Sequence, residues 1–197
     1  MIVGLDEAGR GPLAGIVATC ALHLVVMPPF AVRDSKELSA HQREKIFHWL
    51  LDNALYSVDI ATVQEIDEYN ILEATMLAFN RSIRNLLKKA PQLRAATFIV
   101  DGNIFRTDLT IRYRCVEKAD KTVKEVSCAS IMAKVARDHL MQVADFLYPQ
   151  WNFTKHKGYP TKEHFSLIEQ HALSPLHRQT FYPCCDEKRK FLRKKSS

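Results

Sequence analysis

Apolar and polar positions follow two patterns along this chain: short all-apolar runs, and longer stretches with an apolar residue every three or four positions. The first run, Ile2-Val3-Gly4-Leu5, stops at two adjacent acids, Asp6 and Glu7, and a Gly9-Arg10-Gly11-Pro12 turn. Runs of this length read as buried strands, and Gly with Pro as a turn. Ala14 to Leu24 is apolar and rich in β-branched residues, which predicts a second strand hairpin-paired to the first. Ser39 is a suitable N-cap for a helix through Arg43, Ile46 and Leu50. Tyr56 to Val63 alternates loosely, as a third strand would. Leu72, Met76, Phe79, Ile83 and Leu86 lie on one face of a long amphipathic helix, led into by Ile66 to Ile71 and closed by Pro91. Ala96 to Val100 is wholly apolar, the pattern of a central strand covered on both faces, and ends in Asp101-Gly102-Asn103. Thr110 to Val116 reads as a fifth strand, followed by Glu117-Lys118-Ala119-Asp120. A helix rich in small residues spans Val126 to Asp138, and another spans Lys162 to His171.

Three predicted strand ends thus carry acids: Asp6 with Glu7, Asp101, and Asp120. Ligands of open α/β sheets gather at such carboxyl ends. A buried carboxylate needs a partner, and clustered carboxylate oxygens suit Mg²⁺ or Mn²⁺. Gly9 and Gly11 let the backbone approach a ligand closely, and Arg10 can fork onto a phosphate. The pattern points to a metal-dependent enzyme acting on a phosphate ester. Taken alone, an Asp-Glu pair can equally cap the next turn or pair with a lysine. A strand also sends neighbouring side chains to opposite faces, so both acids reach one site only if the strand bends or ends near Glu7. Lys36, in the loop before the first helix, is either solvated or a phosphate contact. Ser130 and Lys134 share a helix face and either meet one phosphate or are a buried serine and a snorkelling lysine.

Composition narrows the partner. The chain has 197 residues, 47% hydrophobic and 25% charged, enough for one ample core and one domain. Its net charge of +6 suits a polyanion. Trp151 to Lys162 interleaves lysines with aromatic rings, including Tyr159, as nucleic-acid binding requires. Lys188 to Lys195 is a basic run, expected to be a solvated tail over 184–197 with general polyanion affinity. No run of eighteen apolar residues predicts a membrane span, and the start lacks the basic leader of a secretion signal. Five cysteines without a C-x-x-C pair read as reduced thiols of a cytoplasmic protein. No amphipathic dimer seam stands out, so a monomer is expected.

Val3 to Gly15, with its Asp6-Glu7-Ala8-Gly9-Arg10-Gly11-Pro12 centre, resembles the signature of the type 2 ribonucleases H, and among them bacterial ribonuclease HII. The likeness continues at Asp34-Ser35-Lys36, Asp67 with Asn70-Ile71, Asp101-Gly102-Asn103 and Lys118-Ala119-Asp120. It runs on through Ala129 to Asp138, Lys157 to Lys162, His164, and His177-Arg178 with Phe181. The resemblance implies an α/β ribonuclease H-like fold: a five-stranded mixed sheet flanked by helices, with a helical C-terminal part (about 145–183) inside a single unit, 1–183. It implies Asp6, Glu7, Asp101 and Asp120 as catalytic metal ligands for two Mg²⁺ or Mn²⁺ ions. It implies contact with substrate through Gly9, Arg10, Gly11, Lys36, Ser130, Lys134 and Tyr159. Asp138 ranks as a supporting acid or surface ion pair. The implied substrates are RNA–DNA hybrids and ribonucleotides embedded in duplex DNA, cut on the 5′ side to leave 5′-phosphate and 3′-hydroxyl ends. Ala119 stands where the family usually has glycine, and Cys128 where it has alanine. No convincing sliding-clamp peptide is present. The rival readings are a DNA nuclease of the same fold and a non-catalytic nucleic-acid binding module.

Overall fold

The apolar runs assemble into a five-stranded sheet of order β3-β2-β1-β4-β5 in the computed structural model, which describes residues 1–29 and 38–185. The strands are β1 (Ile2–Ala8), β2 (Val17–Leu24), β3 (Ala54–Ala61), β4 (Thr97–Asp101) and β5 (Arg112–Val116). β1, β2 and β3 pair antiparallel, while β4 and β5 run parallel to β1. The sheet is therefore mixed, and the carboxyl ends of β1, β4 and β5 lie at one edge. Asp34-Ser35-Lys36 and the basic run Lys188 to Lys195 fall outside the described residues.

The helices are α1 (Ala40–Asn53), α2 (Val63–Lys89), α3 (Ala119–Thr122), α4 (Lys124–Leu147), α5 (Phe153–His156) and α6 (Lys162–His171). Val3, Leu5, Phe98 and Val100 pack against Met76, Phe79, Ile83 and Leu86 of α2. Cys20 and Leu22 pack on the other face, against Ile46 and Leu50 of α1 and Ile131, Met132 and Val135 of α4. The sheet is covered on both sides, as its all-apolar central strands require. A smaller cluster joins Ala14, Met141, Ala144, Trp151 and Phe153, and seats the C-terminal helical part on the end of α4. No helix among the described residues is long and apolar enough to cross a membrane.

Boundaries differ from expectation where side chains compete for the backbone. The second strand begins at Val17, not Ala14, because the Ala14, Gly15 and Ile16 carbonyls accept bonds from arginine side chains. The third strand ends at Ala61 because Thr62 caps α2, its hydroxyl accepting from the Glu65 N–H at 3.2 Å. Inside α2, Asn70 takes a left-handed φ of 71°, and its side chain caps the N–H groups of Leu72 and Glu73. The helix is thus two helices meeting at Asn70. Asp67, just before the break, accepts from the N–H groups of Gln179 and Thr180 at 3.0 Å.

Three buried histidines knit the C-terminal part together. The Ser174 N–H donates to His177 Nδ1 at 2.9 Å, which leaves the His177 proton on Nε2. That proton is donated to His164 Nε2, 3.0 Å away, and His164 Nδ1 donates to the Tyr159 carbonyl at 3.0 Å. His156 accepts from the Gly158 N–H and donates to the Trp151 carbonyl. All three rings are neutral in this arrangement. Burial pushes His164 down to about 4 and His177 to about 3, from an ordinary value of 6.5. The unfolded chain therefore takes up protons first as pH falls, so this contribution is complete above pH 6.5 and is lost progressively below it. The difference in unfolding free energy between the native chain and His177→Asn should shrink by about 1.6 kcal/mol in all between pH 6.5 and 5. Chemical denaturation across that window measures it, and a constant difference would contradict the neutral assignment.

Candidate active site

Asp6 lies on β1 between Leu5 and Glu7, and strand alternation separates the two acids. Leu5 faces α2, so Asp6 faces α4 and Glu7 turns toward α2. β1 continues as a strand through Ala8, with Glu7 and Ala8 still paired to Thr19 and Ala18. Asp6 is buried; its carboxylate accepts the Glu7 N–H at 2.8 Å and the hydroxyl hydrogen of Ser130. Asp101 ends β4 and accepts the Ala119 N–H at 2.7 Å. Asp120 is buried in the first turn of α3, and the Ser127 hydroxyl donates to its backbone carbonyl. Oxygens of Asp6, Asp101 and Asp120 all lie within 4.8 Å of one another. Glu7 and Asp101 line a cleft on the α2 side, together with Arg10, Leu72, Phe79 and Asn103. Asp101 is the acid common to both groups.

Packing acids together shifts the first of them. Burial, then the Glu7 charge, and also Asp101 push Asp6 well above the ordinary carboxylate range, against the lowering bond from Ser130. A divalent cation would relieve that repulsion, and a set of hard carboxylate oxygens fits Mg²⁺ or Mn²⁺. Ala119 sits comfortably where a glycine was the family expectation. The left-handed residue of this turn is Lys118, with φ of 57°, while Ala119 is helical and supplies the N–H that holds Asp101.

Around this centre stand the other predicted residues. Arg10 is exposed, with Nη1 3.5 Å from Glu7. Gly9 has φ of 103°, and a Cβ there would lie 2.1 Å from Arg137 Nε, so only glycine fits. Lys134 pairs with Asp138 at 2.7 Å, and its Nζ lies 5.8 Å from the centre of the Tyr159 ring. Tyr159 is exposed and follows Gly158, whose own carbonyl accepts the Leu13 N–H at 2.8 Å. The basic-aromatic block is thereby fixed to the Gly9–Ile16 loop. Arg137, Arg178, Asp67 and the histidines lie within the matching motifs, and their roles emerge only from the contacts they make. An arginine in an otherwise apolar helix face, or next to a histidine in a Pro-Leu-His-Arg turn, was the available signal.

Removing one charge from the cluster should stabilise the metal-free protein. Asp6→Asn keeps an oxygen for the Glu7 N–H, and a gain of ~1 kcal/mol would raise the melting temperature by roughly 2–4 °C in chelator. The same substitution should reduce the upward shift that Mn²⁺ gives the unmodified chain. Scanning calorimetry with and without Mn²⁺ reads both; a lower melting temperature in chelator would contradict the repulsion.

A family model described as Ribonuclease HII matches residues 3–184. The ribonuclease HII of Shewanella pealeana is 45% identical over 183 residues, covering 91% of this chain and 87% of its own. That of Chromobacterium violaceum is 44% identical over 184 residues, covering 92% and 90%. Among solved structures, the ribonuclease H2 of Pyrococcus horikoshii superposes with a TM-score of 0.72 at 26% identity, over 98% of this chain and 99% of that one. The match takes in every strand of the sheet, all three clustered acids and the C-terminal helical part, and the chain belongs to the ribonuclease HII family.

Proposed function

We propose that this chain is an endoribonuclease that hydrolyses the RNA strand of RNA–DNA hybrids and cuts 5′ of ribonucleotides embedded in duplex DNA. The products would carry 5′-phosphate and 3′-hydroxyl ends, and the cellular task would be ribonucleotide removal from DNA. The observation that carries the reading is the convergence of Asp6, Asp101 and Asp120 within 4.8 Å in a chain of this family. The free cysteines suit a cytoplasmic enzyme, and a monomer is the expected working form.

Asp6, Asp101 and Asp120 would hold the metal, with Glu7 completing the set from the cleft side. When bound, two Mg²⁺ or Mn²⁺ ions supply an activated water and charge stabilisation at the leaving oxygen. The chain's own residues orient and select. Ser130 and the Glu7 N–H keep the Asp6 carboxylate aimed before any metal enters. In this reading Lys36, Ser130 and Lys134 hold substrate phosphates, Lys134 from beside Tyr159 and Ser130 by turning its one hydroxyl hydrogen from Asp6 to the phosphate once the acids are charge-balanced. Such contacts fix register without reading sequence. Distinguishing RNA from DNA requires a group that reads the 2′-hydroxyl. The Gly9-Arg10-Gly11 backbone is the candidate for that group, and Tyr159 packs on the sugar.

Two substitutions test the assignment on a labelled RNA–DNA hybrid and on a duplex with one ribonucleotide. Asp101→Asn should lower kcat at least 100-fold on both substrates in Mg²⁺ or Mn²⁺, with the chain still folded. Tyr159→Ala should reduce cleavage at the single ribonucleotide roughly 10-fold while leaving the melting temperature within a few degrees. Full activity of Asp101→Asn would remove that acid from the site. Unchanged cleavage by Tyr159→Ala would remove the ring.

A further inference from the structure

The loop between β1 and β2 is shaped by two arginines that contact no solvent, Arg137 of α4 and Arg178 of the C-terminal segment. Arg178 Nε donates to the Gly15 carbonyl at 2.9 Å. Its Nη1 donates to the carbonyls of Arg10 at 2.9 Å and Pro12 at 2.7 Å, and its Nη2 to those of Gly9 at 2.6 Å and Ile16 at 3.3 Å. Arg137 donates to Ile16 at 3.0 Å and Ala14 at 3.2 Å. Burial pulls the Arg178 guanidinium down to about 9, so it remains charged at neutral pH. Desolvating such a charge is unfavourable, and a planar fork with five N–H donors meeting backbone oxygens is what offsets it.

The geometry of the peptide group turns this anchoring into an active-site property. A trans peptide points its C=O and the following N–H in opposite directions. Carbonyls of Gly9 and Arg10 drawn inward onto Arg178 therefore turn the N–H groups of Arg10 and Gly11 outward. Arg10 and Gly11 are exposed, and Arg10 lines the cleft together with Glu7 and Asp101. Arg178 itself is held from three sides. The Phe181 ring centre lies 5.0 Å from its Cζ. Asp67 fixes Gln179 and Thr180 directly after it, and the histidine chain fixes His177 directly before it.

We propose that Arg178 is a positioning residue for ribonucleotide selection: it holds the loop carbonyls inward so that the Arg10 and Gly11 amides face the 2′-hydroxyl and phosphate of the cut nucleotide. This rests on the reading of the Gly9–Gly11 backbone as the group that reads ribose. Arg178 would touch no substrate atom, and its effect would pass through the backbone.

Arg178→Lys keeps the charge and loses the fork, and Asp67→Asn loosens the clamp while leaving Arg178 in place. Both are compared with the unmodified chain for kcat and KM on a duplex with one ribonucleotide and on a long hybrid, and for the Mn²⁺-induced melting shift. Arg178→Lys should lose roughly 100-fold in kcat at the single ribonucleotide and less on the hybrid, with the Mn²⁺ shift retained because the acids are untouched. Asp67→Asn should show the same pattern at roughly 5–10-fold, and it decides the matter if Arg178→Lys does not fold. Cleavage by the folded variants within twofold of the unmodified chain, or equal losses on both substrates, overturns the proposal. Failure of the unmodified chain to cut either substrate would instead defeat the functional reading beneath it.

Discussion

The bonds between Arg178 and the Gly9–Ile16 carbonyls are the constraint on which the rest of this structure depends. They join the first strand's exit to the last described segment of the chain. Without them the carbonyls of Gly9, Arg10 and Pro12 would lose their guanidinium partner, while Leu13 and Gly15 would keep their backbone bonds to Gly158 and Leu176. The C-terminal helical part acquires a purpose from the same contact. Its histidine chain, the Asp67 clamp and the Trp151–Phe153 cluster all serve to hold one guanidinium and the Gly158–Tyr159 turn against that loop.

Charge is arranged in layers around the loop. Behind it sit two buried cations neutralised by carbonyl dipoles; in front sit the clustered carboxylates, with Asp6 pushed upward by burial and by Glu7. A cluster that repels itself while the scaffold holds it in place is preorganised for a cation. The scaffold supplies that hold through short local bonds: the Glu7 N–H to Asp6, the Ala119 N–H to Asp101, and the Ser127 hydroxyl beneath Asp120. The first two hold a carboxylate in place, and the third holds the backbone that carries one.

Much of this was legible in the sequence because hydrophobic period reports burial directly. β1, β2 and β4 and the acids at the ends of β1 and β4 follow from apolar runs that stop abruptly, β3 from its alternation, and the α2 face from the stripe Leu72 to Leu86. What stayed hidden depends on side chains reaching the backbone. The early end of the β1–β2 hairpin at Val17 reflects arginine donors from distant parts of the chain, which no local window contains. The break at Asn70 is a side-chain cap inside a continuous helical pattern. Asp6 and Glu7 alternate across β1, so Asp6 joins the buried cluster while Glu7 lines the cleft beside it, with Asp101 in both groups. Family resemblance pointed to Arg178 without a physical role, and only the five carbonyls around it supply one.

The measurement that bears most directly on the central claim is cut-site mapping on a DNA duplex with one internal ribonucleotide, against an all-DNA duplex, in Mg²⁺, Mn²⁺ and chelator. One metal-dependent cut immediately 5′ of the ribonucleotide is expected, and none in the all-DNA duplex. Equal cutting of all-DNA, or binding without cutting in any metal, would contradict it.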